Sequence, residues 1–448
     1  MNISNKLYEK TKSNFIRQII EQGTYASEKD FRLVLKEFDK LTKQMSDKTP
    51  EEMVNIIIED SIGEFLNVLN SNLIIPGFTF GVKVNGINTK IYGGFKDNLG
   101  NKIETDTMFD IASITKIFTQ VLIYKLIDKN IINFDDKVKD LHPDFINMDD
   151  ITIRDITTFS VSFKTDGRID SKNSIKEAKE CLFGVKPTIR NHYNYNDIGM
   201  MIIKEVIEKV TNNTFEELLN QYIVEPLNLD NTKVNISELL RNKITGSSNM
   251  NIGMVNDGIA NTLGGHSGHA GIWSNSDDLI TFAESIMNGT ILPEHMIQDF
   301  YYPGKFDNNR GIVGNTFIQG SKYVDKTSSL KSFAVQGSTR VQVNTEIRGL
   351  YKASATALLN SAIISEKKVK ELEAQGYNIN KYFKVDGKEL RLNDIRKLVP
   401  PEKSSVLFTR MNAKTTLKLM FLDTLLQNYE KYYEPNINIE KDISNKLK

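Results

Sequence analysis

The chain contains 448 residues, of which 40% are hydrophobic and 25% are charged, a composition typical of a globular protein that buries a sizeable core. Its 57 Lys and Arg residues balance its 57 Asp and Glu residues, which argues against a nucleic acid or an anionic membrane surface as a partner. The single cysteine, Cys181, excludes an internal disulfide bond and a multi-cysteine metal site.

The N-terminal residues carry no apolar leader segment, and no stretch of the chain approaches the roughly 18 apolar residues of a membrane span. We therefore expect a cytoplasmic protein without a membrane span. Residues 1–70 predict a helical N-terminal segment, because apolar residues such as Met53, Ile56 and Leu66 recur near the helical period.

The first strands are predicted after Pro76-Gly77, where apolar residues alternate with others from Phe78 to Val84. Asn85-Gly86 is a strong signal for a two-residue hairpin turn, and a second strand extends to Tyr92. Segments with helical spacing flank this hairpin, and strands and helices do not alternate regularly along the sequence. The sequence therefore favours an α+β fold.

Ser113 and Lys116 open an apolar run with helical spacing. Residues three apart lie on one helix face, so we expect the Lys116 amine beside the Ser113 hydroxyl, near the free N–H groups of a helix N-terminus. A serine nucleophile needs a base within hydrogen-bond reach, and a lysine kept neutral by burial and by neighbouring positive charge can be that base. The same spacing begins at Ser328 and at Ser365, where lysine-rich surroundings indicate a solvated surface.

The middle of the chain, residues 151–269, predicts a mostly helical subdomain. Thr152 opens a short helix, a polar loop follows from Ser160 to Asp170, and an apolar helix follows the segment around Tyr195. The spacing of Thr214-x-x-Glu217 predicts a capping box at the start of a further helix.

A strand pattern returns at residues 331–347, with a break at Gly337. We assign residues 71–150 and 270–362 to a sheet subdomain. Residues 363–448 form a predicted C-terminal extension, largely helical, with a clear helix from Thr415 to Tyr429.

Phe109-Asp-Ile-Ala-Ser-Ile-Thr-Lys116 resembles the serine-lysine box of the beta-lactamase-related serine hydrolases, which include penicillin-binding proteins, D,D-peptidases, class C beta-lactamases and esterases. The resemblance extends over about residues 70 to 360 and implies an antiparallel sheet flanked by helices with an inserted, mostly helical subdomain. Further matching stretches are Ile132-Asn-Phe-Asp-Asp-Lys-Val138, Ile151-Thr-Ile-Arg-Asp-Ile156, Tyr195-Asn-Asp-Ile-Gly-Met-Met-Ile202, Glu225-Pro-Leu-Asn-Leu-Asp-Asn-Thr232 and Gly268-His-Ala-Gly-Ile-Trp-Ser-Asn-Ser-Asp-Asp-Leu279.

The resemblance also implies roles for the matching residues. Ser113 would be the nucleophile that forms an acyl-enzyme, Lys116 would take its proton or hold a shared proton network, and Tyr195 would protonate the leaving group. Asp197 stands where Asn or Asp orients the lysine and the substrate amide. From its residue type alone, Tyr195 would instead be a half-buried tyrosine at a helix entry. No cofactor is implied.

The family's third box, Lys-Thr-Gly or His-x-Gly on an edge strand, is not present as such. Gln336-Gly337-Ser338 is the best positional match, and the resemblance implies that Gln336 and Ser338 face the substrate. The backbone N–H of the next residue, Thr339, would join that of Ser113 in an oxyanion hole. Gln336 lacks the usual positive charge. Arg340 either replaces that charge or is an ordinary surface residue, and Lys326-Thr327-Ser328 is a competing match without a strand pattern.

His266 and His269 lie three residues apart in a glycine-dense stretch. A metal site needs a convergent set of ligands, and the spacing supplies no third one. We therefore predict a tight packing turn and no metal at these histidines.

We expect a serine hydrolase that forms an acyl-enzyme at Ser113 on an amide or ester, such as a D-amino-acid peptide, a beta-lactam or a small ester. The altered third box suggests an alternative, a non-catalytic binding or sensing protein on a penicillin-binding-protein-like fold. A further alternative makes the terminal helices an interface with a second copy or a partner. The sequence leaves the substrate and the oligomeric state open.

Overall fold

The computed structural model describes residues 101–246 and 252–302, most of 77–96, 304–316 and 330–359, and short pieces within 48–60 and 374–390. The predicted N-terminal helices lie largely outside the described residues, as does the predicted helix from Thr415 to Tyr429. Within the predicted C-terminal extension, two short strands pair with each other. The division of the chain into four segments stays a prediction.

The described strands are β1 (Gly77–Val84), β2 (Ile87–Gly94), β3 (Phe109–Asp110), β4 (Val161–Lys164), β5 (Lys186–Arg190), β6 (Trp273–Ser274), β7 (Leu330–Gly337), β8 (Val341–Arg348), β9 (Tyr351–Leu359), β10 (Phe383–Val385) and β11 (Lys388–Leu390). The described helices are α1 (Thr115–Asp128), α2 (Val138–Leu141), α3 (Ile153–Thr157), α4 (Ile175–Phe183), α5 (Ile198–Thr211), α6 (Phe215–Leu219), α7 (Glu225–Leu227), α8 (Gly258–Thr262), α9 (Ser276–Met287) and α10 (Glu294–Tyr301). None of these helices has the length and the apolar run that a membrane crossing requires.

The main sheet of the described residues is antiparallel, with the strand order β2-β1-β9-β8-β7. β1 and β2 form the predicted hairpin, and Gly86 in its turn has φ +87°, which glycine adopts without steric cost. β7 and β8 form a second hairpin whose turn follows Gly337, where the sequence indicated a break. β9 joins the two hairpins by pairing with β8 and with β1, where Phe78 lies opposite Leu359.

Helix α1 lies at the centre of the core and is buried along almost its whole length, including the polar Lys116 and Gln120. Phe118 stacks on Phe282 of α9, with 3.8 Å between ring centroids, and α9 packs in turn against β8 and β9. α1 also packs against α5. The first turn of α1 therefore lies between the sheet and α5.

Local sequence signals fix several helix boundaries between residues 151 and 269. Thr152 and Asp155 form a capping box at the start of α3, and the predicted capping box of Thr214 and Glu217 starts α6. The loop predicted from Ser160 to Asp170 was wrong for its first part, because Val161–Lys164 forms β4 and pairs with β5. The apolar and polar residues of β4 alternate over only four positions, which is too few to distinguish this strand from a polar loop.

Candidate active site

Ser113 and Lys116 come together at the entry to α1. Ser113 lies in a short 3-10 turn, Ala112–Ile114, and Lys116 occupies the first turn of the helix that follows. The Lys116 Nζ atom donates a hydrogen bond to Ser113 Oγ at 2.7 Å, and the Lys116 side chain is fully buried. The predicted spacing on one helix face thus places the amine directly beside the hydroxyl.

Lys116 also forms an ion pair with Asp197, with 2.7 Å between Nζ and Oδ1. Burial opposes the charge of Lys116, but Tyr195 and the Asp197 carboxylate outweigh it and hold the pKa of Lys116 above its ordinary value. Burial likewise opposes the charge of Asp197, but Lys116 and then His269 keep the pKa of Asp197 below its usual range. The expectation of a neutral lysine beside positive charge was therefore wrong, because its nearest charged neighbour is a carboxylate.

Tyr195 stands on the other side of Lys116, with its ring centroid 4.9 Å from Nζ. Its ring stacks on Phe159, with 5.4 Å between centroids and 7° between planes. The Arg310 guanidinium carbon lies 5.7 Å from the same ring. Tyr195 is 39% exposed. The predicted second acid–base residue thus lies within reach of solvent and touches two further side chains.

The end of β7 lies against the segment that precedes Ser113. Thr339 is buried, and its Oγ1 donates a hydrogen bond to the Asp110 carbonyl at 2.7 Å. A Cβ atom on Gly337 would lie 2.5 Å from the Ile111 carbonyl oxygen, so only glycine allows this approach. Gln336 is half-buried and Ser338 is exposed at the same strand end. Arg340 and the competing stretch 326–328 lie outside the described residues.

Asp110 supports the turn that carries Ser113. Its Oδ1 accepts the backbone N–H of Ala112 at 2.8 Å, and its Oδ2 accepts the N–H of Asn256 at 2.7 Å. Ala112 has φ +44°, a left-handed conformation that is unfavourable for a residue with a Cβ atom. Burial raises the pKa of Asp110 to about 6.

The glycine-dense stretch forms a tight turn against α5, as predicted. Gly268 has φ +77°, and a Cβ atom there would lie 2.5 Å from the Met200 carbonyl oxygen. The backbone carbonyl of His269 accepts a hydrogen bond from Lys116 Nζ at 3.4 Å. The His269 ring meets Ser267 Oγ at 2.9 Å through Nδ1 and Asp257 Oδ1 at 3.1 Å through Nε2. Both nitrogen atoms thus have protein partners.

Comparison with known proteins identifies the family. A family model described as Beta-lactamase matches residues 71–316. The chain belongs to the beta-lactamase family. The resemblance inferred from the motifs is therefore confirmed.

Among curated proteins, this chain is similar to a putative D-alanyl-D-alanine carboxypeptidase from Salmonella agona. The two are 27% identical over 226 residues, which cover 41% of this chain and 52% of that relative. A protein of the same description from Escherichia coli strain K12 is 24% identical over 227 residues, which cover 42% of this chain and 52% of that relative. The chain spans about half the length of the curated relatives that it matches.

Among solved structures, a class C beta-lactamase from Rhodobacter sphaeroides matches with a TM-score of 0.55 at 15% identity, covering 70% of this chain and 98% of that one. At this identity the likeness concerns the fold. The predicted α+β fold of the beta-lactamase and transpeptidase type is confirmed.

Sequence reasoning identified four residues that the fold brings together at the entry to α1: Ser113, Lys116, Tyr195 and Asp197. It missed Asp110, Phe159 and Arg310, and it did not connect Asp257 with His269. Asp257 and Arg310 reach the site through tertiary contacts that no short motif encodes, whereas Asp110 lies within the serine-lysine box and accepts the N–H of Ala112, two residues on. Phe159 was assigned no role from the sequence, and its stacking on Tyr195 is likewise a tertiary contact.

Proposed function

We propose that the chain is a serine hydrolase in which Ser113 attacks the carbonyl carbon of an amide or ester and forms an acyl-enzyme. The observation that carries the proposal is the pair of 2.7 Å contacts from the buried Lys116 Nζ to Ser113 Oγ and to Asp197 Oδ1. A buried ammonium group held between a hydroxyl and a carboxylate is costly unless it serves the chemistry or the fold around it. Its place next to a half-exposed serine favours the chemistry.

The charge on Lys116 determines the first proton transfer. An ammonium group cannot accept the serine proton, so Lys116 must first lose a proton to water, and the Asp197 carboxylate opposes that loss because it holds the pKa of Lys116 up. Neutral Lys116 then takes the proton from Ser113 Oγ while that oxygen bonds to the substrate carbonyl carbon. The electron pair of the carbonyl double bond moves onto its oxygen, which becomes an oxyanion.

The later steps use backbone N–H groups beside Ser113 and the hydroxyl of Tyr195. In this proposal the backbone N–H groups of Ser113 and Thr339 donate to the oxyanion. The close packing of Gly337 against Ile111 supports this role, since it brings the strand end beside the turn of Ser113.

Tyr195 gives its proton to the leaving group as the scissile bond breaks. A water molecule then gives a proton to the Tyr195 phenolate as its oxygen bonds to the acyl carbonyl carbon. Lys116 returns its proton to Ser113 Oγ as the acyl–serine bond breaks, which releases the acid and restores the hydroxyl.

The substrate class follows from the relatives rather than from the site alone. The curated relatives are described as putative D-alanyl-D-alanine carboxypeptidases, so we propose a D-amino-acid peptide as the first substrate to test. Gln336 takes the place of a cationic residue on β7, which counts against substrates whose carboxylate would pair with that cation, a beta-lactam among them, and favours a small ester or an amide without that carboxylate.

A fluorophosphonate probe tests the nucleophile. We expect one adduct on the full-length chain, located at Ser113 by peptide mass spectrometry, and none on Ser113→Ala. Ser328→Ala removes a serine with the same lysine spacing and serves as the matched control, with labelling unchanged. An unmodified Ser113 after both a fluorophosphonate and a labelled penicillin would count against the proposal, and would favour the non-catalytic binding protein.

The substrate requires a separate panel of a D-alanyl-D-alanine peptide, nitrocefin and short p-nitrophenyl esters. We expect turnover of the peptide or the esters that is lost in Ser113→Ala. Turnover of nitrocefin alone would contradict the proposed substrate class while leaving the nucleophile in place.

A further inference from the structure

The buried amine of Lys116 has a third hydrogen-bond partner besides Ser113 and Asp197. The backbone carbonyl oxygen of His269 lies 3.4 Å from Nζ, whereas Ser113 Oγ and Asp197 Oδ1 each lie 2.7 Å from it. Tyr195 is a further neighbour, with its ring centroid 4.9 Å away. The contact of 3.4 Å is near the limit of a hydrogen bond, so a small displacement of the His269 carbonyl would remove it.

These partners differ in what they can do with a proton. The Asp197 carboxylate and the His269 carbonyl only accept hydrogen bonds. The hydroxyls of Ser113 and Tyr195 can also donate. A neutral amine has two N–H groups and one lone pair, so when the two acceptors take both N–H groups the lone pair is left for a hydroxyl. Ser113 Oγ lies 2.7 Å away, so the carbonyl of His269 helps to direct the base at the nucleophile.

The turn that carries the His269 carbonyl is attached to α1 at two points. The Gly268 carbonyl accepts a hydrogen bond from Thr119 Oγ1 at 2.6 Å. The Ile272 N–H donates to Thr115 Oγ1 at 3.3 Å, and both threonines are fully buried. These bonds hold the two ends of the turn beside the lysine amine, but neither of them involves His269 itself.

The imidazole of His269 is held at both nitrogen atoms. Ser267 Oγ lies 2.9 Å from Nδ1, and Asp257 Oδ1 lies 3.1 Å from Nε2. Burial opposes the charge of Asp257, but His269 outweighs it and lowers the pKa of Asp257 to about 2. Because an ionised carboxylate only accepts, Nε2 carries a proton, and Nδ1 of the neutral ring accepts the Ser267 hydroxyl. The ring is buried, so both contacts are shielded from solvent.

Asp257 is itself fixed by its neighbours. Its Oδ1 also accepts the backbone N–H of Ala260 at 2.8 Å and so caps α8. The preceding residue, Asn256, donates its N–H to Asp110 Oδ2 at 2.7 Å. Asp110 supports the turn of the proposed nucleophile, so the His269 ring is connected through this segment to the turn that its carbonyl faces across the lysine.

We propose that His269 is a positioning residue: its imidazole fixes the carbonyl against Lys116 and so directs the lone pair of the neutral amine at Ser113 Oγ. Asp257 and Ser267 hold the imidazole at its two nitrogen atoms. The inference rests on the proposed attack by Ser113. A role in folding alone would change only the stability of the turn, whereas positioning also determines how fast each folded molecule reacts.

The experiment measures the labelling of Ser113 by a fluorophosphonate on the full-length chain, at a pH where the rate has reached its plateau. The rate constant is recorded separately from the final number of adducts per chain, which distinguishes a slow reaction from a loss of folded protein. We expect His269→Leu, which removes both ring contacts, to lower the rate constant by about ten-fold to a hundred-fold at an unchanged final yield. His269→Gln is expected to restore part of the rate, because its amide can donate to Asp257.

His266→Leu is the matched control, because it removes a histidine from the same glycine-dense stretch. The His266 ring stacks on Phe215, with 5.9 Å between centroids. The rate constant of this control should equal that of the wild type. Ser267→Ala removes only the partner of Nδ1 and is expected to slow labelling a few-fold, which keeps the inference testable if His269→Leu does not fold.

Equal rate constants for His269→Leu and His266→Leu would overturn the inference, as would a slow His269→Leu that His269→Gln does not improve. A loss of final yield at an unchanged rate constant would also overturn it, because that result shows a role in folding alone. If His269→Leu does not fold, a Ser267→Ala rate equal to that of the wild type is the contrary result. In each case the wild type still reacts at Ser113, whereas a wild type that takes no label would be a failure of the proposed function.

Discussion

The Asp110 carboxylate accepts the backbone N–H of Ala112 at 2.8 Å and holds that residue at φ +44°, one position before Ser113. The left-handed conformation costs a non-glycine residue roughly 1–2 kcal/mol. Such strain persists only where surrounding contacts impose it, and it is concentrated at functional sites. The position of the proposed nucleophile thus depends on a buried acid that takes no part in the proposed proton transfers.

Replacing Asp110 by Asn is expected to change the pH dependence of stability. Because burial raises the pKa of Asp110 from 3.8 to about 6, the folded state binds more protons than the unfolded state between these values. The free energy of unfolding of the wild type should therefore fall as pH rises through this window, by up to about 3 kcal/mol relative to Asp110→Asn. Urea unfolding of both proteins between pH 4 and 7 measures this difference, and parallel curves would contradict it.

Replacing Asp197 by Asn is expected to shift the pH profile of Ser113 labelling toward lower pH. Burial lowers the pKa of Lys116, and Tyr195 and Asp197 together outweigh it. Without the carboxylate, less remains to oppose the effect of burial, so the pKa of Lys116 falls. The neutral amine then becomes available at lower pH. The fluorophosphonate labelling rate between pH 5 and 10 measures the shift.

Asp166→Asn is the matched control for Asp197→Asn, because Asp166 is an exposed aspartate that pairs with Lys186 at 3.0 Å. Its profile should coincide with that of the wild type. A profile of Asp197→Asn that moves to higher pH, or does not move, would show that the ion pair does not set the charge of Lys116.

Replacing Gly337 by Ala is expected to slow the labelling of Ser113 by about ten-fold or more, the usual effect of misplacing groups that stabilise an oxyanion. The added Cβ atom would lie 2.5 Å from the Ile111 carbonyl oxygen and 2.6 Å from Val341 Cγ2, so β7 must move away from the turn of Ser113. Gly184→Ala is the control, since its nearest neighbouring atom is 3.6 Å away. Equal labelling rates in the two variants would exclude a role for the strand end.

Replacing Tyr124 by Phe is expected to lower the free energy of unfolding by about 1–3 kcal/mol without changing the labelling rate of Ser113. The buried Tyr124 hydroxyl donates to Asp299 Oδ2 at 2.7 Å, and burial raises the pKa of Asp299. Removal of the hydroxyl takes a donor from a carboxylate that is already costly to bury. Tyr92→Phe, at a tyrosine that is 47% exposed, should leave stability unchanged, and an equal loss in both would contradict this explanation.

Local signals predicted the parts of the fold that local interactions decide. The hairpin turn at Gly86, the capping box at Thr214 and the break at Gly337 each depend on a few adjacent residues. β9 was not predicted as a strand, because its Lys-Ala-Ser-Ala-Thr-Ala stretch has small residues with weak strand preference. Its conformation follows from pairing with β1 and β8, which are brought to it by the fold.

The same distinction applies to the candidate site. Ser113 and Lys116 were paired by their spacing on one helix face, which needs no knowledge of the rest of the fold. The charge of Lys116 could not be predicted, because it depends on how closely Asp197 approaches it in space. Arg310 carried no signal at all, since its contact with Tyr195 joins segments that are distant in the chain.

The pairing of β1 with β9, in which Phe78 lies opposite Leu359, has a consequence for biosynthesis. At about 5–20 residues per second, a ribosome completes β9 on the order of tens of seconds after β1. During that interval one edge of β1 has no partner strand, and such an edge readily pairs with another chain. A nascent chain that stops before Tyr351 is therefore expected to aggregate, even though Ser113 and Lys116 have already been synthesised.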